Sequence, residues 1–280
     1  MVKRPEISVV MTLYREETNW VKEAIGSVVG MTFNYELIIV LDDKENKELL
    51  KLVNEIKNKN KKIKLFINEK RGGAAKARNK AIENSKGKYI AILDGDDVSI
   101  NNRFEKQYKY LENHKKTDIV FSWVLFIDSE GKEIKKFHPQ NTKTADLKNN
   151  LFKEHLFVHS SMFGRSVVFK KIRYDPKLLR SQDFDFWVRA LAKGYKMKIL
   201  EKYLTKYRIS QVEDYNTRIN KVRDWTKYGR ILFEKNEKYF QNNKTYKKIL
   251  FKYKINDKIY SITPNFIIVP FLKVKDKIQK

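Results

Sequence analysis

Four apolar runs in the first hundred residues, three of them stopping at polar clusters, constrain this chain more than any other feature. Ile7–Tyr14 is mostly apolar, Tyr35–Leu41 (YELIIVL) ends at Asp42-Asp43, Lys62–Ile67 alternates, and Tyr89–Leu93 (YIAIL) ends at Asp94-Gly95-Asp96-Asp97. Short apolar runs of this kind read as strands buried on both faces. Between them, Glu17–Val29 places Trp20, Val21, Ala24, Ile25 and Val28 at helical spacing, and Lys44–Lys57 does so with Leu49, Leu50, Val53 and Ile56. Arg71–Ser85 reads as a helix started by glycines. Such β-α units predict a parallel sheet wound as a Rossmann-like half, with ligands beyond the carboxyl ends of its strands. Thr12 with Tyr14, Asp42 with Asp43, and Asp94 to Asp97 stand at three of those ends, so their convergence locates a site.

Further along, Arg103–Asn113 reads as a helix and Asp118–Ile127 as an apolar strand entering a hairpin turn at Asp128-Ser129-Glu130-Gly131. Phe157–Val168 is partly apolar, Phe184–Leu191 puts Phe184, Trp187, Val188 and Leu191 on one helical stripe, and Lys196–Tyr207 reads as returning strands. Beyond Ser210 the character changes. Asn216–Asn236 reads as a basic amphipathic helix carrying Ile219, Val222, Trp225, Ile231 and Leu232, and FIIVPFL at 266–272 precedes a lysine-rich end. The expected division is an α/β domain over 1–210, with a nucleotide-binding half at 1–100 and an acceptor-binding half at 101–210, then a basic helical extension over 211–280.

Charge bounds the partners. Against 34 acidic residues stand 60 lysines and arginines, a net +26. From Glu201 onward there are 20 basic and 8 acidic residues, which makes this stretch more than twice as basic per residue as the rest. Such a field favours nucleic acid, an acidic membrane surface or phosphorylated substrates, and a lysine-rich solvated surface explains it equally well. The chain has no cysteine, which excludes disulfides and thiolate metal sites and fits a reducing, cytoplasmic setting. The first apolar run leads straight into charged residues without a small-residue cleavage site, so it reads as a strand rather than a signal peptide. No run approaches the roughly 18 apolar residues that would span a bilayer.

The Asp94-Gly95-Asp96-Asp97 cluster is the sharpest local signal. Carboxylates one residue apart, just past a buried strand, offer oxygens to Mg²⁺ or Mn²⁺, and Gly95 keeps the turn tight. A helix N-cap with extra surface acid is the alternative. An EF-hand fails because Val98 and Ser99 occupy positions that need a ligand and a glycine. Both the dinucleotide G-x-G-x-x-G and the P-loop are absent. Gly72-Gly73-Ala74-Ala75 supplies instead a small-residue helix start that would attract an anion, with Arg78 able to fork onto a phosphate or a carboxylate. Asp183 stands at a helix start, where capping is the default role and general-base catalysis the sharper one. The four histidines show no metal-ligand spacing, and only His159, beside Ser160 and Ser161, attracts notice.

Taken in order, ISVVMTLYRE, SVVGMTFNYELIIVLDD, GGAAKARNKAIENSKGKYIAILDGDD, HSSMFGRSVV, YDPKLLRSQDFDFWVRAL and KYRIS resemble the family 2 glycosyltransferases over about Ile7 to Tyr207. The resemblance implies a GT-A fold, a mainly parallel mixed sheet flanked by helices, and inverting transfer from a nucleoside diphosphate sugar, with UDP as the default. It implies that Thr12 and Tyr14 line the nucleotide pocket, that Asp43, with Asp42 beside it, recognises the base, and that Arg78 lies near the nucleotide. Asp94 and Asp96 match the family's Asp-x-Asp, whose last carboxylate touches Mn²⁺ or Mg²⁺, with Asp97 as the neighbour that could substitute. Asp183 matches the catalytic base. Gln182 departs from the family's Glu there, as Arg15, Met31 and Lys44-Glu45 depart from its Asn, Gln and Gly-Ser.

The resemblance implies a glycan or lipid-linked acceptor in surface polysaccharide or glycolipid assembly. The extension lies outside it, and either rests on an anionic membrane or packs on the domain or a second subunit. Two other classes compete: a nucleic-acid-binding protein, for which no recognisable module is present, and a catalytically silent scaffold that binds neither metal nor nucleotide.

Overall fold

The computed structural model describes residues 4–100, 102–139, 156–209, 215–242 and 244–262, with 215–219 as backbone only. The FIIVPFL segment and the side chain of Ile219 therefore lie outside the described residues. The first half is the expected alternation: β1 (Ile7–Leu13), α1 (Thr18–Val29), β2 (Tyr35–Leu41), α2 (Lys47–Lys59), β3 (Ile63–Ile67), α3 (Ala74–Glu83) and β4 (Tyr89–Ile92). A two-residue β5 (Val98–Ser99) and α4 (Arg103–Asn113) lead to the hairpin β6 (Ile119–Ile127) and β7 (Glu133–Phe137). A 3₁₀ turn at His159–Ser161 precedes β8 (Phe163–Arg165) and α5 (Ser166–Ile172), followed by α6 (Gln182–Ala192) and β9 (Met197–Arg208). The extension forms α7 (Tyr215–Asn236) and α8 (Lys244–Ile262).

All nine strands join one sheet in the order β3-β2-β1-β4-β8-β6-β9-β5, with β7 on β6. The four β-α strands are mutually parallel, β8 is antiparallel to β4 and β6, and β9 returns parallel to β6. The sheet is thus mixed and mainly parallel, flanked by helices, as the sequence leads one to expect. Every residue of β2 and β4 is buried, which is why neither strand alternates in sequence. One apolar layer packs β1 and β2 against α1 and α2, and a second packs the opposite face against α3, α5 and α6.

The two glycines at the start of α3 do not enter the helix. Asp42 Oδ1 accepts from Gly72 N–H at 2.9 Å and Oδ2 from Gly73 N–H at 2.7 Å, while Gly73 takes φ +84°. The first helical residue is therefore Ala74 rather than Arg71. Asn46 caps α2 by accepting from Leu49 N–H at 3.1 Å, worth about 1 kcal/mol. Its Nδ2 also donates to Tyr14 O at 2.8 Å, which ties that cap to the end of β1.

Residues Lys196–Tyr207, expected to hold more than one strand, form the single long β9, continuous past a bulge near Trp123. The extension shares the core of the domain. Leu232, Phe233, Phe240, Tyr246 and Leu250 belong to the apolar cluster that contains Phe186 and Trp187. Trp225 is 51% exposed.

Candidate active site

The carboxyl ends of β1, β2 and β4 and the start of α3 enclose a cavity of about 300 Å³, near the lower end of small-molecule sites. Its lining is Thr12, Leu13, Tyr14, Glu16, Asp42, Arg71, Gly73, Ala74, Ala77, Arg78, Asp94 and Asp96. A broader depression of about 430 Å³ at the other end of the strands, beside Arg4, Lys88 and Arg165, touches none of these acids.

Of the residues singled out in sequence, Thr12, Tyr14, Asp42, Arg78, Asp94 and Asp96 line this cavity. Asp43 does not, and its Oδ1 accepts from Glu45 N–H at 3.0 Å in the turn that follows β2. Besides its two glycine bonds, Asp42 accepts from Asn68 Nδ2 at 2.6 Å, so its carboxylate braces the loop that opens α3. That loop presents the start of the helix to the cavity, where the helix dipole favours an anion. Arg71, not predicted, lies 4.3 Å over the Tyr14 ring and adds a cation on the same side.

Asp94 is held by two partners. Arg78 Nη2 donates to Oδ1 at 2.9 Å, and His159 Nδ1 lies 3.2 Å from Oδ2. Burial alone would raise Asp94, but Arg78 and His159 hold its carboxyl well below the usual range. His159 Nε2 lies 2.9 Å from the Tyr174 hydroxyl, and the Tyr174 backbone is clamped to the Asn79 side chain of α3 by bonds of 2.9 and 2.8 Å. Arg78 also reaches Gln182 Oε1 at 3.2 Å, linking the turn after β4 to the first residue of α6. His159 is therefore neither a free surface histidine nor an apolar core one.

Asp96 has the opposite environment. Burial, then the nearby charges of Asp94 and Glu16, push it up to about 7. Asp97 is fully buried. Its Oδ1 accepts from Arg208 N–H at 2.8 Å, and Oδ2 has no hydrogen-bond partner among the described residues, although the nearby Ser160 hydroxyl eases the carboxylate's charge. Burial, then Asp96 and Asp94, raises Asp97 well above the usual range. Arg103, buried behind the turn, donates to Ile92 O at 2.9 Å and Met162 O at 3.2 Å.

Crowded carboxylates, two of them raised above the usual range by burial and by their neighbours' charge, with a buried oxygen lacking a partner among them, are what a divalent cation relieves, so these residues fit Mn²⁺ or Mg²⁺. Among the described residues no three acids or histidines form a complete protein cage. That suits ions that keep waters and substrate phosphates in their shell.

Two glycine positions make the turn possible. A Cβ on Gly95 would lie 2.2 Å from Leu13 Cδ2, so any other residue here would have to push the buried Leu13 tip aside. Gly73, at positive φ, does the same service for the loop that Asp42 braces. Arg208 then staples the turn from outside: Nε donates to Asp96 O at 2.9 Å, Nη1 to Asp128 O and Ser129 O, and Nη2 to Glu23 at 2.6 Å.

Asp183 is the second residue of α6, and its Oδ1 accepts from Phe184 N–H at 2.8 Å. It does not line this cavity; Arg78, through Gln182, is the bridge between the two. Ser181 before it holds a left-handed φ of +56°, a strain that tends to gather at functional sites. Glu16, Arg71, Tyr174 and Arg103 escaped the sequence reading, and His159, noticed beside Ser160 and Ser161, was given no partner there; Arg71 and His159 meet theirs only across long stretches of chain.

The sheet order and the acids, helix start and arginines around one cavity thus place a polar site at the carboxyl ends of the strands of an α/β fold. The model of glycosyl transferase family 2 matches residues 8–173, and the chain belongs to that family. It is 42% identical over 275 residues to an uncharacterized glycosyltransferase of Methanocaldococcus jannaschii, covering 98% of this chain and 95% of that one. Three rickettsial relatives are longer, and the chain spans 29–33% of their length.

Among solved structures, S. aureus TarS 1-349 in complex with UDP-GlcNAc superposes with a TM-score of 0.66 at 18% identity, covering 92% of this chain and 73% of that one. The mannosyltransferase PcManGT from Pyrobaculum calidifontis, in complex with GDP-Man and Mn²⁺, gives 0.63 at 12%, covering 98% and 81%. These two likenesses establish the GT-A fold. Among the described residues no helix is long and apolar enough to cross a membrane.

Proposed function

We propose that the protein is an inverting, metal-assisted glycosyltransferase that moves a sugar from a nucleoside diphosphate sugar, by default a UDP-sugar, to a hydroxyl of a glycan or lipid-linked acceptor. One observation carries this reading: a cavity between β1, β2, β4 and the start of α3 in which a braced helix start, Arg71 and the Asp94–Asp96 pair face one another. UDP-GlcNAc in TarS, and GDP-Man with Mn²⁺ in PcManGT, support the donor class on the same fold.

In this reading Thr12 and Tyr14 serve the nucleoside, Asp42 braces the loop beside it with Asp43 in the turn next to that, and Arg78 sets Asp94 toward the donor. Asp96, with Asp94 and Asp97 beside it, holds Mn²⁺ or Mg²⁺. The ion, when bound, supplies positive charge to the departing nucleoside diphosphate. Asp183 takes the proton of the acceptor hydroxyl as that oxygen attacks the anomeric carbon from the face opposite the leaving group. Its Oδ2 accepts no hydrogen bond among the described residues, and Oδ1 is oriented by Phe184 N–H. Residues 1–100 act as the donor half, 101–210 as the acceptor half, and 211–280 as a basic extension placing the enzyme at the inner face of the cytoplasmic membrane. Surface polysaccharide or glycolipid assembly is the process this suits.

Thermal-shift measurements with UDP, GDP, CDP and dTDP, with and without Mn²⁺, test the donor site by mass action. Metal-dependent stabilisation by one nucleotide, lost in Asp96→Ala, is the expected result. A flat panel would overturn the proposal. Product NMR with the identified donor then tests inversion.

A further inference from the structure

Helix α8 sorts its side chains around its circumference. Tyr246 and Leu250 are buried in the core shared with α6, and Ile249 and Tyr253 pack partly against that core. Asp257, the only acid in α8, lies toward this side and accepts from Arg230 Nε of α7 at 2.7 Å. The opposite arc carries Phe251, Ile255 and Ile259 at intervals of four residues, exposed by 66%, 42% and 48%. Around them stand the exposed Lys244, Lys247, Lys248, Lys252, Lys254 and Lys258, of which Lys254, at the edge of the arc, meets Glu234 of α7 at 3.8 Å. At about 100° per residue, all nine side chains fall within an arc of about 160° that holds no acid.

We propose that this arc is the face by which the protein docks on an anionic lipid surface. The Phe251–Ile255–Ile259 stripe enters the headgroup boundary, and the lysines meet the lipid phosphates. An apolar stripe alone would suit any apolar groove, and lysines alone any polyanion. Interleaved on one arc, they suit an interface where lysine stems lie along apolar neighbours while the ammonium groups stay in the headgroup layer. A nucleic-acid backbone would use the lysines and leave the stripe unburied. A second copy, paired symmetrically through this face, would set six lysines against six. The packing of Tyr246 and Leu250 fixes the arc to the catalytic domain, so docking would hold that domain at the surface.

The inference deepens the membrane placement proposed above but is independent of glycosyl transfer, because it is measured without turnover. The full-length protein is co-sedimented with vesicles of phosphatidylcholine, with and without phosphatidylglycerol, at low and high salt. Roughly tenfold stronger partition onto the anionic vesicles, weakened by salt, is expected. The triple variant F251S/I255S/I259S should lose roughly tenfold or more of that binding while keeping its melting temperature, since the three side chains are exposed. K248Q/K252Q/K258Q should weaken it and flatten its salt dependence.

Three outcomes would overturn the proposal. One is no partition by the wild type. Another is unchanged binding by the apolar triple variant, especially if duplex DNA is bound as tightly. The third is a fall in melting temperature or a change of oligomeric state in that variant, which would show the stripe covered by its own chain or a second copy. Nucleotide binding by thermal shift in the same samples separates a failure of the donor site from a failure of the docking face.

Discussion

Arg78 Nη2 donates to Asp94 Oδ1 at 2.9 Å while Nη1 donates to Gln182 Oε1 at 3.2 Å, so one guanidinium joins the acidic turn to the helix that carries Asp183. The guanidinium is buried, and its Nε has no partner among the described residues. A lysine would keep the charge but not the planar fork. Arg78→Lys should therefore hold more donor affinity than Arg78→Met, and both should fall at least tenfold in kcat/KM, about 1.4 kcal/mol or more of lost transition-state stabilisation. Calorimetric donor binding beside steady-state kinetics checks this; equal loss in both variants would show that the planar fork, and not the charge, is what matters.

The His159–Tyr174 contact orients the second oxygen of Asp94 from behind. Tyr174→Phe removes the hydroxyl but keeps the ring beneath Arg78, so it should cost about 1 kcal/mol of stability and a few-fold in rate. His159→Ala should cost more, because the buried Asp94 oxygen loses its partner. A Tyr174→Phe rate equal to wild type would remove the contact from the mechanism.

The raised Asp96 has a stability signature of definite sign. A carboxylic acid ordinarily titrating near 3.9 but raised to about 7 when folded binds its proton more tightly in the folded state. Metal-free protein should therefore lose stability as pH climbs from about 4 to about 7, at no more than about 1.4 kcal/mol per pH unit for this group. Mn²⁺ should restore stability most at the upper end of that window, releasing protons as it binds. Asp96→Asn should flatten the slope in chemical denaturation across that range. A slope unchanged in the variant would count against the assignment.

Glu36 should give the opposite slope at the far end of the sheet. Burial alone would raise it, but Lys64 at 2.6 Å, the Ser8 hydroxyl and Lys86 N–H hold it below the ordinary value. Its contribution is present above about pH 4.3, the ordinary glutamate value, and is lost as pH falls through the lower folded value. Glu36→Gln should cost about 1–3 kcal/mol at neutral pH, read by urea denaturation, and make the remaining stability less sensitive to acid.

Asp183→Asn keeps the shape of the start of α6 and removes the proposed base. Donor binding should stay within a few-fold, while turnover drops by about 10²–10⁴. Loss of donor binding in step with turnover would point to a structural role for this carboxylate.

The strands and their polar ends were legible because a buried parallel strand writes itself as a continuous apolar run, and the acids after β2 and β4 interrupt such runs abruptly. The division of labour within those acids was not. Nothing local says that Asp42 spends its oxygens on Gly72 and Gly73, while Asp43 stays in a surface turn. That choice is made by the loop before α3 folding back from thirty residues away. Tyr174 likewise looks ordinary in sequence, and His159 draws notice there only for its neighbours Ser160 and Ser161, because their partners lie in the turn after β4 and on α3. The packing of the extension was left open by its pattern: the faces of α7 and α8 are amphipathic against a protein or a lipid alike.

Arg208 leaves the ribosome more than a hundred residues after the acids it fixes, its bond to Asp96 O spanning 112 positions. The nascent first half can wind its parallel strands and bury their apolar faces, yet its acidic turn stays without the guanidinium that sets it until the last strand has been made. Binding competence would then arrive late in synthesis and all at once, which keeps an unfinished chain from capturing nucleotide or metal. Pairings so distant in sequence are also the slow ones to find, so closure by Arg208 is a natural final step of folding.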